Sequence, residues 1–461
     1  MPSDRIILNA FHMNCLVHHS AGMWTHPDDQ MHRYTDIEPW IELVQLLERG
    51  RFDALFLADV IGVYDVYRGS RDAAVRAGAQ VPVNDPAVLL PALAHATRHL
   101  SFGFTSSVLQ EHPFIFAKKL STLDHLTKGR VAWNIVTSYL ENTGRNLSLG
   151  RLPEHDERYE IADEYLEVIY KLLEGSWEDG AVIRDRRTGQ YADPSKVHDI
   201  AHKGKYYEVP GAHLCEPSPQ RTPVLYQAGA SSRGQRFAGR HAECAFFLGP
   251  SPDVVGGYVR AVRERAVAEG RHADDIKALA LIKVITGPSE RAAREKYAEY
   301  ASLINYEGAL ALLSGWSGID FSAYRPDQRL DYIETNAIRS LVHGFTAADP
   351  SRVWTMRDLA TYVGIGGAGP VLVGDHEQVA DQLQTWIDAG LDGFNLAYGI
   401  TPGSFRDFID GVVPVLQHRG LVQTDYAEGT YREKLFGSGK RRLAANHRGA
   451  HYRNLAHKAP A

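Results

Sequence analysis

Short runs of apolar residues alternate along this chain with longer segments in which apolar residues recur every three or four positions. The short runs predict buried strands, and the longer segments predict amphipathic helices. The predicted strands span residues 6–11, 54–58, 100–105, 131–136, 224–227, 244–248, 278–285 and 393–398. The predicted helices span residues 37–49, 86–97, 114–126, 156–173, 233–240, 252–269, 377–389 and 405–420.

Eight strands that alternate with helices predict an α/β fold with a parallel sheet, and the number eight favours a closed (β/α)8 TIM barrel. We expect one barrel domain over residues 1–423, with insertions at about 60–84, 175–221 and 306–370. Insertions of this length are commonly lids, so we expect the second and third to cover the functional site. Residues 424–461 are expected to form a C-terminal arm that packs on the barrel or on a neighbouring subunit.

Net charge, cysteine content and the length of the apolar runs exclude several classes of partner and location. The formal net charge of −6 over 461 residues argues against binding to nucleic acid or to an anionic membrane surface. The three cysteines lack metal-ligand spacing and suit a reducing compartment. No apolar run is long enough to span a bilayer. We therefore expect a cytoplasmic protein with no nucleic-acid partner and no membrane insertion.

In a (β/α)8 barrel the chemistry lies at the carboxyl ends of the strands. In this chain those ends are rich in hydrogen-bonding groups and poor in charge: His18, Asp59, Thr105, Asn134, Thr137, Gln227 and Ser231. Each has an ordinary structural explanation too, such as a helix cap at Asp59 or a strand-to-loop turn at Thr105. The N-terminal histidines have no accompanying carboxylate ligands, so we expect no metal. Nothing in the chain indicates a Ser-His-Asp triad.

The junction between the fifth predicted strand and the next helix has the composition of a phosphate site. The strand ends in small residues from Ala228 onward, and Ser231 lies at the helix start, where free backbone N–H groups bind phosphate. His155 and Tyr159 are four positions apart at another helix start, so they share a face and can approach the same anion. An ordinary turn with a serine cap also explains the junction. Together with the other strand ends, it favours a phosphorylated cofactor.

Long segments of the chain resemble a known family. Residues 122–138, 155–159 and 224–229 resemble the bacterial-luciferase-like, FMN-dependent monooxygenases, in the branch of nitrilotriacetate monooxygenase, pristinamycin synthase and dibenzothiophene-sulfone monooxygenase. The segments most similar to long-chain alkane monooxygenases are residues 9–15, 34–36, 52–60, 64–68 and 213–219. The resemblance covers nearly the whole chain, to residues 431–436. Dimethyl-sulfide monooxygenases are similar over the same segments, so the motifs specify the family more closely than the substrate.

The resemblance implies a two-component enzyme and a set of site residues. A separate NAD(P)H:FMN reductase would supply reduced FMN, which the protein would use with O2, and a homodimer or homotetramer is implied. The residues that would contact FMN are Asp59, Thr105, Asn134, Thr137, His155, Tyr159, Ser231 and Ser232. Of these, Asn134 and Thr137 would lie near the isoalloxazine ring and Ser232 beside the phosphate. The residues on the substrate side would be Cys15, His18, Tyr64, Gln80 and Tyr139.

Two positions depart from the alkane enzymes. Tyr139 and Leu312 stand where those enzymes carry histidine, which leaves His18, with Cys15, to shape the environment of the activated oxygen. The resemblance implies oxygenation of an apolar small molecule such as a long-chain alkane. Oxygenation of dialkyl sulfides or other organosulfur compounds stays an alternative, as do deazaflavin-dependent hydride transfer and non-catalytic flavin binding.

Overall fold

Parallel strands from along the whole chain close into a barrel. The computed structural model describes residues 5–229, 231–330, 353–367 and 369–453. Its strands are β1 Ile7–Met13, β2 Ala54–Ala58, β3 Ser101–Ser107, β4 Val131–Val136, β5 Val182–Asp185, β6 Gln190–Ala192, β7 His202–Lys203, β8 Glu208–Val209, β9 Val224–Ala228, β10 Cys244–Phe247, β11 Lys277–Gly287, β12 Val371–Asp375 and β13 Gly393–Ala397.

The barrel order is β1, β2, β3, β4, β9, β10, β11 and β13, and the pairings of β10 with β11 and of β13 with β1 close the ring. All of these pairings are parallel. The predicted (β/α)8 barrel is therefore confirmed. The ends of the predicted strands differ from the observed ones by at most two residues.

Helices follow the strands, and most of them lie on the outside of the barrel. The α-helices span Glu38–Arg49, Asp72–Ala77, Pro86–His95, Pro113–Leu126, Glu141–Asn146, His155–Tyr170, Ser232–His241, Pro252–Ala268, Glu290–Leu303, Tyr306–Ser317, Met356–Gly366, His376–Asp388, Gly403–Asp407, Val413–His418 and Tyr431–Phe436. Several of these helices have a side-chain cap at their start: Asp85, Ser231, Ser251 and Ser289 each accept a hydrogen bond from a backbone N–H of the first turn.

Alternate residues of the barrel strands point inward and fill the barrel with aromatic rings. Phe11 lies 5.5 Å from Phe56 and 5.2 Å from Phe246, measured between ring centroids, and Phe56 lies 5.1 Å from Tyr226. Below them, the Asn9 amide donates to the Tyr226 hydroxyl at 3.2 Å. The interior is thus a packed core whose upper rings form a floor at the carboxyl ends of the strands.

Strand β11 is longer than its neighbours and projects above this floor. Its first residues pair with β10 and its middle with β13, while Lys283 to Gly287 pair with β12. Above the same end of the barrel lies a layer of three packed helices, Asp72–Ala77, Tyr306–Ser317 and Met356–Gly366, which we call the cover. Residues 331–352 and 368 of the third predicted insertion lie outside the described residues.

The second predicted insertion has a different position. Residues 175–221 form the hairpins β5–β6 and β7–β8 and attach to the outer helix Pro113–Leu126, where the His213 Nε2 lies 2.8 Å from the Ser121 hydroxyl. None of these residues lines the cavity at the barrel mouth. The expectation that this insertion covers the site was wrong, because its buried polar contacts are to the side of the barrel.

The C-terminal arm runs beneath the barrel, at the amino ends of the strands. Tyr431 and Arg432 are buried there, and the Arg432 guanidinium pairs with the Glu243 carboxylate at 2.6 Å. Residues 454–461 lie outside the described residues. Of the helices that the structure describes, none combines the length and the apolar character needed to cross a membrane.

Candidate active site

A cavity of about 370 Å3 lies at the carboxyl ends of the strands, between the aromatic floor and the cover. Its lining residues are Phe11, Met13, His18, His19, Phe56, Ala58, Asp59, Val60, Tyr64, Gln80, Thr105, Asn134, Val136, Tyr139, Ala228, Phe246, Leu248 and Trp316. Most of these are apolar. The polar ones include seven residues that the sequence nominated: His18, Asp59, Tyr64, Gln80, Thr105, Asn134 and Tyr139.

One wall of the cavity is a hydrogen-bonded group centred on the Tyr64 hydroxyl. That hydroxyl donates to Gln80 Oε1 at 2.9 Å, contacts the Tyr139 hydroxyl, and accepts from the Trp316 indole N–H at 3.0 Å. Burial raises the pKa of Tyr64 well above its usual value and that of Tyr139 to about 12. Both phenols therefore keep their protons at neutral pH, and the wall presents neutral donors.

Gln80 connects this wall to the first loop of the barrel. Its amide donates to the His18 carbonyl at 2.7 Å, and its backbone adopts a left-handed φ of 52°. That conformation is uncommon for a residue with a side chain and indicates that surrounding contacts impose it. The loop that carries His18 and the insertion that carries Gln80 are thereby held in one arrangement.

Two stacked histidines form a second wall, next to the first. The rings of His18 and His19 are 3.9 Å apart, and each Nδ1 is buried without a hydrogen-bond partner among the described residues. Burial lowers the pKa of His18 well below its usual value and that of His19 to about 3. Both imidazoles are therefore neutral at physiological pH. His19 also packs against Trp316 of the cover, with ring centroids 5.7 Å apart.

A row of polar groups continues from the floor along β2, β3 and β4. The Asn134 amide donates to the Thr105 hydroxyl at 2.9 Å, while the Asn134 Oδ1 is buried and has no partner in the part of the chain that the structure describes. Asp59 lies beside them, and burial, with the nearby Asp85 charge, raises its pKa to about 7. An amide oxygen left unpaired in a buried site is costly, so this row is suited to a polar ligand.

The residues that are predicted to bind a phosphate lie at the next position on the rim of the barrel, after β9. The Ser231 hydroxyl accepts from Gly234 N at 3.0 Å and lies 3.4 Å from His155 Nε2. Gly229 closes the turn: a Cβ there would lie 2.6 Å from Gln227 Nε2 and 3.2 Å from the Tyr159 hydroxyl. The turn, the helix N-terminus and these hydroxyl and imidazole groups form a cradle that suits the phosphate of FMN. Ser232 begins the helix beside it.

Two nominated residues do not line the cavity. Cys15 is completely buried, its backbone pairs with Val83, and it does not line the cavity. Burial raises the pKa of its thiol, so the thiol stays protonated. Thr137 is absent from the lining as well, whereas its neighbours Val136 and Tyr139 are present.

Sequence reasoning missed several lining residues. The aromatic residues of the floor lie within predicted strands, whose apolar pattern indicates a core and carries no sign of a cavity. Trp316 lies in an insertion, hundreds of residues from the rings that it touches, and had no local signal. His19 follows His18 in the sequence, but no local pattern indicates that the two rings stack or that His19 packs against Trp316.

Comparison with known proteins identifies the family. Residues 10–393 match the luciferase-like monooxygenase family. The chain is 52% identical to the dimethyl-sulfide monooxygenase of Hyphomicrobium sulfonivorans, covering 98% of this chain and 94% of that protein. It is 51% identical to the long-chain alkane monooxygenase of Geobacillus thermodenitrificans strain NG80-2, covering 98% and 99%.

A solved structure extends the comparison to a flavin complex. The crystal structure of the riboflavin lyase RcaE with modified FMN and riboflavin is 37% identical and superposes with a TM-score of 0.87, covering 97% of this chain and 99% of that one. The matches span the barrel and the residues at its mouth. The chain belongs to the luciferase-like monooxygenase family, and it is an oxidoreductase of that monooxygenase class.

Proposed function

We propose that this protein is the oxygenase of a two-component system, using reduced FMN from a separate NAD(P)H:FMN reductase, and O2, to oxygenate an apolar small molecule. The observation that carries the proposal is the juxtaposition, at one end of the barrel, of a mostly apolar cavity and an anion cradle. The names of the two similar monooxygenases and the flavin bound to the riboflavin lyase support it.

The cofactor would lie across β2 to β9. Ser231, Ser232, His155 and Tyr159 would hold its phosphate at the cradle. The unpaired Asn134 Oδ1, with Thr105 and Asp59, would receive the polar edge of the ring, and Thr137 would lie near by. Reduced FMN supplies the electrons that activate O2, while the protein binds, orients and desolvates the reactants.

The chain's own contribution is a mostly apolar, partly covered pocket in which the protonation of Tyr64, His18 and His19 is fixed by burial. Trp316 and Tyr139 cover the cavity, and the aromatic floor closes it from below. Tyr64 keeps its proton at the hydroxyl, and His18 and His19 stay neutral. The tyrosine and histidine walls therefore offer no readily released proton to activated oxygen, and the one carboxyl group among the described lining residues, Asp59, lies in the polar row assigned to the cofactor.

The size of the cavity bears on the substrate. About 370 Å3 is at the small end of ligand pockets, and it has to hold both a three-ring cofactor and the substrate. A short dialkyl sulfide satisfies that limit more easily than a long-chain alkane, which was the first expectation from the sequence. We therefore propose a compact organosulfur substrate, with the long-chain alkane as the second candidate because the two relatives are equally similar.

The test is a coupled assay of the full-length protein with an FMN reductase, NADH and O2. Dimethyl sulfide, diethyl sulfide and hexadecane are supplied separately, and product is compared with O2 consumed. We expect product only in the presence of this protein, with the higher product-to-O2 ratio for a sulfide. Product from hexadecane alone would overturn the sulfide assignment, and peroxide without product from every compound would overturn the oxygenase assignment. A homodimer or homotetramer and a cytoplasmic location stay expectations.

A further inference from the structure

Lys283, in the upper half of β11, is a buried cation with no carboxylate partner among the described residues. Its side chain is fully buried, and burial lowers its pKa to about 7. Lysine is almost never completely buried unless it is paired, because an unpaired ammonium group loses its hydration without compensation. Its presence here indicates that the amino group serves something other than global stability.

The contacts of the amino group join four parts of the molecule. Lys283 Nζ donates to the Ser20 hydroxyl, in the loop after β1, and to the Ile365 carbonyl, in the last turn of helix Met356–Gly366 of the cover. The Ser20 hydroxyl is also 3.4 Å from the Tyr398 carbonyl, just beyond β13. A single side chain from β11 thus links the first loop, the cover and the end of the last barrel strand.

This junction stands directly behind the histidine wall of the cavity. Ser20 follows His18 and His19 in sequence, and the charge of Lys283 contributes to the lowered pKa of both imidazoles. His19 is also confined by the cover, because a Cβ at Gly367 would lie 2.8 Å from its ring. The titratable groups that face the amino group are His18 and His19 on the loop, with the buried Tyr398 beyond Ser20. Moving Lys283 would release the loop and the cover together.

We propose that Lys283 is a positioning residue that fastens the loop 14–21 and the cover helix Met356–Gly366 to each other above the cavity. Its amino group fixes the orientation of His18 and His19 and keeps the cover closed against water. The consequence for catalysis rests on the proposed function, whereas the mechanical link does not.

The structural test is hydrogen exchange of the full-length protein, read by mass spectrometry, in wild type and Lys283→Met. We expect amides of residues 14–21 and 356–366 to exchange at least tenfold faster in the variant, with no change in helix Tyr431–Phe436 at the base. Lys277→Met is the matched control, since Lys277 is at the other end of the same strand and lies 3.7 Å from the Asp392 carboxylate. Unchanged exchange at the mouth in Lys283→Met, or equal acceleration there in Lys277→Met, would overturn the proposal.

The functional test uses the same variants with the FMN reductase and the best sulfide. Lys283→Met should lower product per O2 at least fivefold while the Kd for FMN changes less than threefold. Ser20→Ala, which keeps the lysine but removes one of its acceptors, should change both readouts in the same direction by a smaller factor and serves if Lys283→Met does not fold. Full coupling in both variants would contradict the role. If wild type forms no product from any compound, the proposed function fails and the exchange experiment still decides the role of Lys283.

Discussion

Two buried basic side chains, Arg432 at the base of the barrel and Lys283 at its mouth, have different partners. At the base, where the strands begin, the buried Arg432 pairs with Glu243 at 2.6 Å, and the partly buried Arg5 pairs with Asp53 at 2.5 Å. At the mouth, Lys283 has no carboxylate partner among the described residues, and His18 and Asn134 retain unpaired buried atoms.

This difference distinguishes buried groups that stabilise the fold from buried groups that are available to bind a ligand. Pairing with Glu243 satisfies the Arg432 charge within the chain, so this ion pair at the base requires no ligand. Unpaired groups at the mouth cost stability in the free protein and become useful only when a ligand or a fixed geometry employs them. Strained or unsatisfied positions commonly gather at functional sites for this reason.

The strongest test of this comparison is to remove one buried basic side chain from each end of the barrel. Arg432→Met would leave the Glu243 carboxylate buried and unpaired, so it should lower the free energy of unfolding by about 3–5 kcal/mol. Lys283→Met removes a cation that has no carboxylate partner and should change it by no more than about 1 kcal/mol. Urea denaturation of both variants measures the contrast. Equal losses would mean that the mouth and the base are built alike.

Tyr64→Phe tests whether the wall of the cavity that is centred on the Tyr64 hydroxyl helps to couple O2 consumption to product formation. The change leaves Gln80, Tyr139 and Trp316 without their shared partner, so we expect a loss of about 1–3 kcal/mol in unfolding free energy. Product per O2 should fall severalfold, because the wall no longer holds Trp316 in place. Tyr324→Phe, a tyrosine outside the cavity lining, is the control. Undiminished coupling in Tyr64→Phe would contradict the role of the wall.

Ser231→Ala tests whether the cradle after β9 binds the phosphate of FMN. It should weaken FMN binding about tenfold, equivalent to about 1.4 kcal/mol, but leave riboflavin, which lacks the phosphate, nearly unaffected. Ser289→Ala removes a similar helix cap far from the cradle, and both variants should lose about 1 kcal/mol of stability. Fluorescence titration with the two flavins reads the difference. Equal weakening for both flavins would place the phosphate elsewhere.

The smallest expected effect concerns the pH dependence from Asp59. Burial and the Asp85 charge raise its pKa in the folded state to about 7, from 3.8. The folded state therefore holds this proton more tightly than the unfolded state, and stability from this group falls as pH rises from about 4 to about 7. Asp59→Asn should remove that slope and exceed wild type at pH 8 by about 1 kcal/mol, allowing for partial exposure. Thermal unfolding from pH 5 to pH 8 checks the sign.

Most of the fold could be predicted from the sequence, and so could the half of the site that is formed by residues at the strand ends. The period of apolar residues identifies a strand wherever the pattern within a short segment is enough to indicate burial. Polar residues that follow such strands must meet at one rim of the barrel, as Asp59, Thr105 and Asn134 do. The phosphate cradle was also visible, because a strand, small residues and a helix cap are consecutive at Ser231.

The remainder depends on contacts that no local pattern encodes. Lys283 reads as one polar position in an apolar run, and its burial follows only from the extension of β11 to β12. Trp316 reaches the cavity through the packing of the cover. Cys15 was assigned to the substrate side by resemblance, but the pairing of its backbone with Val83 leaves it outside the lining.

The most direct test of the central claim, that the mouth oxygenates an apolar substrate with reduced FMN, is the isotopic mass of the product. The full-length protein, the reductase, NADH, FMN and a dialkyl sulfide are incubated under 18O2. The account predicts one atom of 18O per oxygenated product and none from H218O in ordinary O2, with formation dependent on this protein. Product that carries oxygen from water, or 18O peroxide in place of any product from sulfide and alkane alike, would contradict it.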